Sequence, residues 1–428
     1  MPDPDRMSTD TIDRARCAER DAADPLAALR NLYELPEGVI YLDGNSLGPP
    51  PRTAAARIER GARESWGRDL IRSWNTARWI DLPLRVGDAI AKLIGADPGE
   101  VVAADSTSVN LFKVLSAALA MRPERKVILT ERGNFPSDLY IAQGLIAQLG
   151  RGHALKVVER EALADAIDEH TAVAMLAQVD YRLGSRLDLA DMTARAHARG
   201  ALVIWDLAHS AGAFEVALNA ARADLAVGCG YKYLNGGPGA PAFVYVARRH
   251  QQAFAQPLSG WMGHASPFAF ETGYRPAEGI ARALVGTPPV LSMLALEAGV
   301  EAMLAAEALG GMAALRAKSL ALTDLFIELV ERRCAGHGLA LVTPREHALR
   351  SSQVSFSMAD GEAGYAIVQA LIARGVIGDF RAPDILRFGF APSYLRHVDV
   401  WDAVEQMREV LAARAWDRPE FRARKAVT

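Results

Sequence analysis

Cysteine is scarce in this chain: three in 428 residues, at positions 17, 229 and 334. An odd, scattered set makes neither a disulfide framework nor the paired spacing of a zinc site. It suits a reducing compartment. Neither charge sign is in surplus, with 48 basic against 51 acidic residues, so general attraction to nucleic acid or anionic membranes is excluded. No apolar run approaches the length needed to cross a bilayer. The first residues (MPDPDRMSTDTIDRARC) are charged and hold no secretory core. Internal repeats and low-complexity tracts are missing as well. A soluble, cytoplasmic protein without metal, membrane or nucleic-acid partner is expected. What the chain does have is a hydrophobic half, 50% of its residues, which is ordinary for a globular enzyme. Its length predicts two domains.

The pattern along the chain is an alternation. Residues 1–35 read as a helical, charged lead-in, and YLDGNSLGPPP (41–51) as a short strand and a Gly/Pro-rich turn. From about 55 to 95 the periodicity is helical. Short apolar strands then follow at 101–104, 126–130, 154–159, 172–179, 201–206, 224–229 and 240–247, with helices between several of them. This predicts an α/β fold with a mainly parallel seven-stranded sheet covered on both faces. Past about 305 the character changes. A helix over 312–334, strands LALVT, QVSFSM, VIGDF and ILRFGF, a helix over 362–374 and a last helix from about 399 predict a smaller α+β unit. The division falls into residues 56–305 and 306–428.

The chemistry concentrates in Val203 to Phe243, VIWDLAHSAGAFEVALNAARADLAVGCGYKYLNGGPGAPAF. Asp206 ends one apolar strand, and Lys232 follows 26 positions later (232 − 206) on a glycine-rich loop after the next. In a parallel α/β sheet, ligands sit beyond the C-terminal strand ends. A carboxylate and an amine there are what a pyridoxal phosphate ring requires. The carboxylate partners the pyridinium nitrogen, and the lysine bonds the aldehyde. Taken alone, a strand-end aspartate such as Asp206 is more commonly a helix cap or turn residue, and a lysine such as Lys232 an exposed loop residue. His209 either contacts the cofactor ring or is a satisfied structural histidine. Tyr231 either serves the phosphate or proton transfer, or simply packs. STSVN (106–110) opens a helix after a strand, so Thr107 and Ser108 are candidates for a phosphate or for plain capping. Phe135 can stack on the ring or belong to the core, with Asp138 nearby. Arg387 can grip a carboxylate with two parallel hydrogen bonds or sit in a salt bridge. The GGPG run lacks the Gly-Lys-Ser/Thr of a nucleotide phosphate loop.

These pieces together, LDGNSLGPPP (42–51), STSVN, NFPSD (134–138), WDLAHSAG (205–212), GYKYLNGGPG (230–239), GWMGH (260–264), GTPPVLSM (286–293) and LRFGFAP (386–392), resemble the kynureninases. These are fold type I, aspartate aminotransferase-like pyridoxal phosphate enzymes. The resemblance spans nearly the whole chain. It implies hydrolytic β,γ carbon–carbon cleavage of L-kynurenine or 3-hydroxykynurenine to anthranilate or 3-hydroxyanthranilate and L-alanine. It implies Lys232 as the cofactor lysine and Asp206 as the ring-nitrogen partner, with His209 and Tyr231 on the cofactor and Phe135 over its face. Thr107, Ser108 and Asp138 would hold the phosphate and ring substituents. Trp261 and Thr287 match positions supplied to the phosphate by the neighbouring subunit, which implies a homodimer with shared sites. Arg387 matches the arginine of the substrate carboxylate, and Trp74 and Ser46 are candidates for the substrate-ring pocket. Residues 1–55 would form a segment packing with the small domain, 56–305 the cofactor-binding domain, and 306–428 the small one. Asp180 stands where many relatives carry asparagine, and its role is open. A cysteine desulfurase would need a reactive thiol on a mobile loop, which neither Cys229 nor Cys334 suits. An aminotransferase would need a keto-acid acceptor, and a DNA-binding sensor would need an added module that the short, acidic lead-in does not supply.

Overall fold

The computed structural model describes residues 12–425, so the expectation for residues 1–11 lies outside the described residues. The seven expected strands of the central sheet are all present: β2 (Val101–Ala103), β3 (Val127–Glu131), β4 (Ala154–Val158), β5 (Thr171–Ala177), β6 (Leu202–Asp206), β7 (Leu225–Gly228) and β8 (Phe243–Val246), after a two-residue β1 (Ile40–Tyr41). Their spatial order is β2-β8-β7-β6-β5-β3-β4. All the pairings from β7 to β4 are parallel, and β8 runs antiparallel to both its neighbours.

Alternation along each strand sorts side chains to the two faces. Leu129, Ala174, Leu176, Val203, Trp205, Ala226 and Phe243 join one buried core. Ile128, Val173, Met175, Leu202, Ile204, Val227 and Val244 join the other. With both faces covered, these strands read as continuous apolar runs.

The C-terminal part holds an antiparallel sheet in the order β12-β13-β10-β9, made of β9 (Leu339–Leu341), β10 (Gln353–Met358), β12 (Asp379–Arg381) and β13 (Ile385–Gly389). Helices Gly311–Arg333 and Gly361–Ala373 pack with it, and His397–Ala412 packs against those helices. VIGDF is not one strand. It divides at Gly378 into β11 (Val376–Ile377), parallel to β1, and β12. A Cβ on Gly378 would meet the Phe388 ring at 2.6 Å, so only glycine allows that close passage. The stretch 55–95 is likewise broken. Helix Arg52–Arg60 widens into an i→i+5 turn over Gly61–Asp69, Leu70 and Arg78 take φ of 52° and 53°, and a new helix runs Leu82–Ile94. Pro83, which tolerates only a first-turn position, fixes that restart.

Candidate active site

Asp206 closes β6 and is paired in register with Ala177, the last residue of β5. Both line a cavity of about 290 Å³ at the C-terminal ends of the parallel strands. The other walls are Ser106, Thr107 and Ser108, then Phe135, Ser137 and Asp138, then Val179 and Tyr181, and finally Ala208, His209, Tyr231 and Lys232. Each group starts where a strand stops, which is why residues far apart in sequence converge here.

Helix Thr107–Ala120 points its start into this cavity. Ser106 caps it, accepting from Val109 N–H at 3.3 Å. The capping demand is therefore met one residue earlier than Thr107. Among the described residues the N–H groups of Thr107 and Ser108 have no partner. Free N–H groups at the positive end of a 14-residue helix make a ready anion cradle. Buried Lys113, bonded to Asp105, to Asn110 at 3.0 Å and to Ala283 O at 2.8 Å, ties down the loop beneath it.

The cavity floor is acidic and poorly satisfied. Asp206, 8% exposed, accepts Ala208 N–H at 2.7 Å. Burial pushes its carboxyl up, and the Lys232 charge and the Ala208 N–H partly offset this. Asp138, 2% exposed, has Oδ2 without a partner. Burial, reinforced by the neighbouring Asp206 charge, holds its carboxyl well above the usual range. Lys232 Nζ lies 3.0 Å from His209 Nε2 and 5.9 Å from the centre of the Phe135 ring. Burial, helped by the charges of Lys232, Arg387 and Arg381, drives the His209 pKa well down, so the ring is neutral. With Lys232 donating to Nε2, the ring proton sits on Nδ1, which is buried without a partner. Burial raises the Tyr231 phenol, which stays protonated at neutral pH.

These loose ends test the cofactor directly. A pyridoxal phosphate brings a cationic ring N–H for the aspartate floor, an aldehyde for Lys232, a flat ring for His209 and Phe135, and a dianion for the helix start. The residues fit the group. Phe135 is 42% exposed and stands edge-on to Tyr181, with ring centres 5.0 Å apart.

Other expected residues lie elsewhere. Trp74 is half-buried beside the second core and edge-on to Trp79 at 6.3 Å. Trp261 and Thr287 are exposed and do not line this cavity. Asp180 spends Oδ1 on the N–H groups of Arg182 and Leu183, at 2.8 and 2.9 Å, closing a tight turn. Arg387 is 1% exposed. Its fork is engaged by Asp379, through Nε at 2.8 Å and through Nη2. Nη2 also bonds Ser46 Oγ at 2.7 Å, and Nη1 bonds the carbonyl of the cavity residue Tyr181 at 2.5 Å. Sequence reasoning missed Ser137, Tyr181, Asp379 and Arg381. Ser137 lies within NFPSD, and Tyr181 directly follows Asp180. Asp379 was signalled only by hairpin symmetry, since β12 and β13 pair it with Arg387.

The GNSLG turn docks on this arrangement. Gly48 N–H donates to Tyr231 O at 2.8 Å, and a Cβ there would lie 2.4 Å from Lys232 O. Beside it, Asp43 is pushed up to about 7 by burial and by the charge of Asp379, against Arg387, Ser46 and Arg381. Tyr41, Tyr233 and Tyr394 also feel its charge. A folded-state carboxyl pKa above the unfolded value stabilises least once ionised, so this contribution fades as pH rises through about 7. Asp43→Asn is expected to flatten the fall in Tm between acidic and mildly alkaline pH. Identical Tm–pH curves for both proteins would contradict it.

The scaffold and the fit of its strand-end cavity make this a pyridoxal phosphate enzyme of the fold type I class. Solved structures agree on the fold. A cysteine desulfurase from Thermococcus onnurineus NA1 matches with a TM-score of 0.73 at 20% identity, covering 90% of this chain and 98% of that one. The cystine C–S lyase C-DES, in complex with its product cysteine persulfide, matches with a TM-score of 0.71 at 17% identity, covering 87% and 98%. The three cysteines here are buried, and burial raises each thiol pKa. None is a reactive thiol of the kind desulfurase chemistry needs.

The kynureninase C-terminal domain family matches residues 315–407. Kynureninase of Burkholderia pseudomallei strain K96243 is 56% identical over 423 residues, 98% of this chain and 100% of that protein. Kynureninase of Pseudomonas fluorescens is 55% identical over 420 residues, 97% and 99%. The chain belongs to the kynureninase family.

Proposed function

We propose that this protein hydrolyses the β,γ carbon–carbon bond of L-kynurenine, or of its 3-hydroxy form, releasing anthranilate or 3-hydroxyanthranilate and L-alanine. The observation that carries the reading is Lys232 beside a neutral His209, over the Asp206–Asp138 floor, in a chain 56% identical to a kynureninase over its full length.

When bound, pyridoxal phosphate supplies an electron sink for charge developing at the substrate's α-carbon. The chain's own groups do the rest. Thr107 and Ser108 hold the phosphate with free N–H groups and hydroxyls. Asp206 keeps the ring nitrogen protonated, since a buried carboxylate is best satisfied by a cationic N–H. Lys232 removes and returns protons at the substrate's α-carbon, with His209 Nε2 within reach to orient its amine. The Tyr231 phenol, protonated at neutral pH, donates a proton to the alanine-forming carbon. Arg387 carries the charge that draws in the α-carboxylate.

The protein works as a homodimer with shared sites. Trp261 and Phe268 form an exposed edge-on pair, and Phe270, Leu70 and Ile71 are exposed as well, apolar groups that a second copy would cover. Trp261 and Thr287 then serve the partner's phosphate. The N-terminal segment to residue 55, the unit 56–305 and the unit 306–428 act as the three structural parts. The β1–β11 pairing supports the attachment of the first to the last. The enzyme is cytoplasmic. No helix among the described residues is long and apolar enough to cross a membrane. The test is incubation of the purified protein with kynurenine and 3-hydroxykynurenine in parallel, without a keto-acid acceptor. Fluorescent anthranilate from kynurenine, or 3-hydroxyanthranilate from 3-hydroxykynurenine, is expected, and the absence of both products sinks the reading.

A further inference from the structure

Arg387, the expected carboxylate anchor, has little left to offer. Of its five N–H donors, Nε and one on Nη2 go to Asp379, the other Nη2 donor goes to Ser46, and one on Nη1 goes to Tyr181 O. One remains, too few for a bidentate grip while these partners stay. The neighbouring guanidinium is in the opposite condition. Arg381 donates from Nη2 to Asp379 Oδ2 at 2.5 Å and to Ser46 Oγ at 3.1 Å. Its Nε is buried without any partner, and Nη1 has none among the described residues. A third of its side chain is open to solvent, against 1% for Arg387.

Asp379 therefore joins two arginines, and a single carboxylate faces two fixed positive charges. Burial pushes Asp379 up, but the charge and hydrogen bond of Arg387, the charge of Arg381 and the hydrogen bond of Ser46 together hold it below its usual range. Asp43, the second acid of the cluster, is pushed up to about 7 and is partly protonated at neutral pH. The positive charge of the pair is thus only partly compensated, and one of the two guanidiniums keeps free donors. That guanidinium shares Asp379 and Ser46 with Arg387, whose Nη1 bonds the carbonyl of the cavity residue Tyr181.

We propose that Arg381 is a second substrate-binding arginine, whose free donors complete the capture of the α-carboxylate while Asp379 and Ser46 hold Arg387 behind it. This deepens the reading given above and rests on an amino-acid substrate. A buried Nε–H with no partner is satisfied when an anion arrives, which makes recognition depend on charge rather than on the substrate's aromatic end.

The test uses the holoenzyme and two probes that perturb the cofactor's visible spectrum: L-alanine, which carries the α-carboxylate, and ethylamine, which lacks it. Arg381→Gln is expected to weaken L-alanine by ~10- to 100-fold, the range of a charged hydrogen bond, and to leave ethylamine within about 3-fold. Arg381→Lys should recover part of the loss by restoring the charge. With kynurenine, KM should rise while kcat changes little. Equal losses for both probes would mean that Arg381 only braces Asp379, and no loss for L-alanine would mean that Arg387 suffices; either overturns the proposal. Because the probes report without turnover, failure of the kynurenine assay in the unmodified protein is a separate result. It would sink the proposed reaction and leave this measurement standing.

Discussion

Lys232→Ala protein is expected to fold, to lose the visible absorption of lysine-bonded cofactor, and to turn over kynurenine at least ~10⁴-fold more slowly. The size of the effect follows from how much passes through one amine. Among the described residues Lys232 is the only lysine lining the cavity, its Nζ is 3.0 Å from His209, and no other described basic group in that wall can take its place. His209 cannot substitute as the base, because burial and the surrounding positive charges hold its ring pKa far down and its Nδ1 is the protonated nitrogen. Folding should survive, since the side chain is part-exposed on a loop held by backbone bonds from Gly48 and Asn235. The same variant tests the shared site. Mixed with Trp261→Ala subunits, it should recover activity, because one site of each mixed dimer then has both Lys232 and the partner's tryptophan. Normal activity in Lys232→Ala refutes the lysine's role, and mixtures that stay inactive refute the shared site.

Asp206→Asn should move two observables in opposite directions. Cofactor affinity is expected to fall by ~100-fold or more, because removing one partner of a buried ion pair costs roughly 3–5 kcal/mol. Turnover should fall with it, since the ring nitrogen is no longer held protonated. The cofactor-free protein should instead become more stable. In that state Asp206 is a buried carboxylate facing Asp138, and burial raises its pKa. A raised acid destabilises the fold at neutral pH relative to a neutral isostere. Asparagine keeps an acceptor for the Ala208 N–H and discards the charge. Thermal melts of apo and holo protein decide this: a higher apo Tm with weaker cofactor retention is expected. An unchanged apo Tm together with unchanged retention would remove Asp206 from its assigned place.

The central sheet was legible because strands buried on both faces are unbroken apolar runs, and all seven appear where the pattern put them. The C-terminal strands were equally visible, except at Gly378, where one apparent strand serves two sheets. The stretch 55–95 was less readable. Its helical periodicity carried no mark of the turns at Leu70 and Arg78, exposed residues that take positive φ although neither type favours it. Among the candidate site residues, the strand-end positions Asp206 and Lys232 could be read because the end of an apolar run can be seen in one dimension.

The amino-acid order by itself determined which strands form, which residues terminate them, and which family the motifs belong to. Only the tertiary structure decided who spends whose hydrogen bonds. It placed the helix cap on Ser106 and left Thr107 and Ser108 free, it neutralised His209 by burying it among cations, and it consumed Arg387 on Asp379 while leaving Arg381 with donors to spare. The reason is physical. Strand and helix patterns are local and periodic, whereas desolvation and donor counting depend on every group within a few ångströms, most of them distant along the chain.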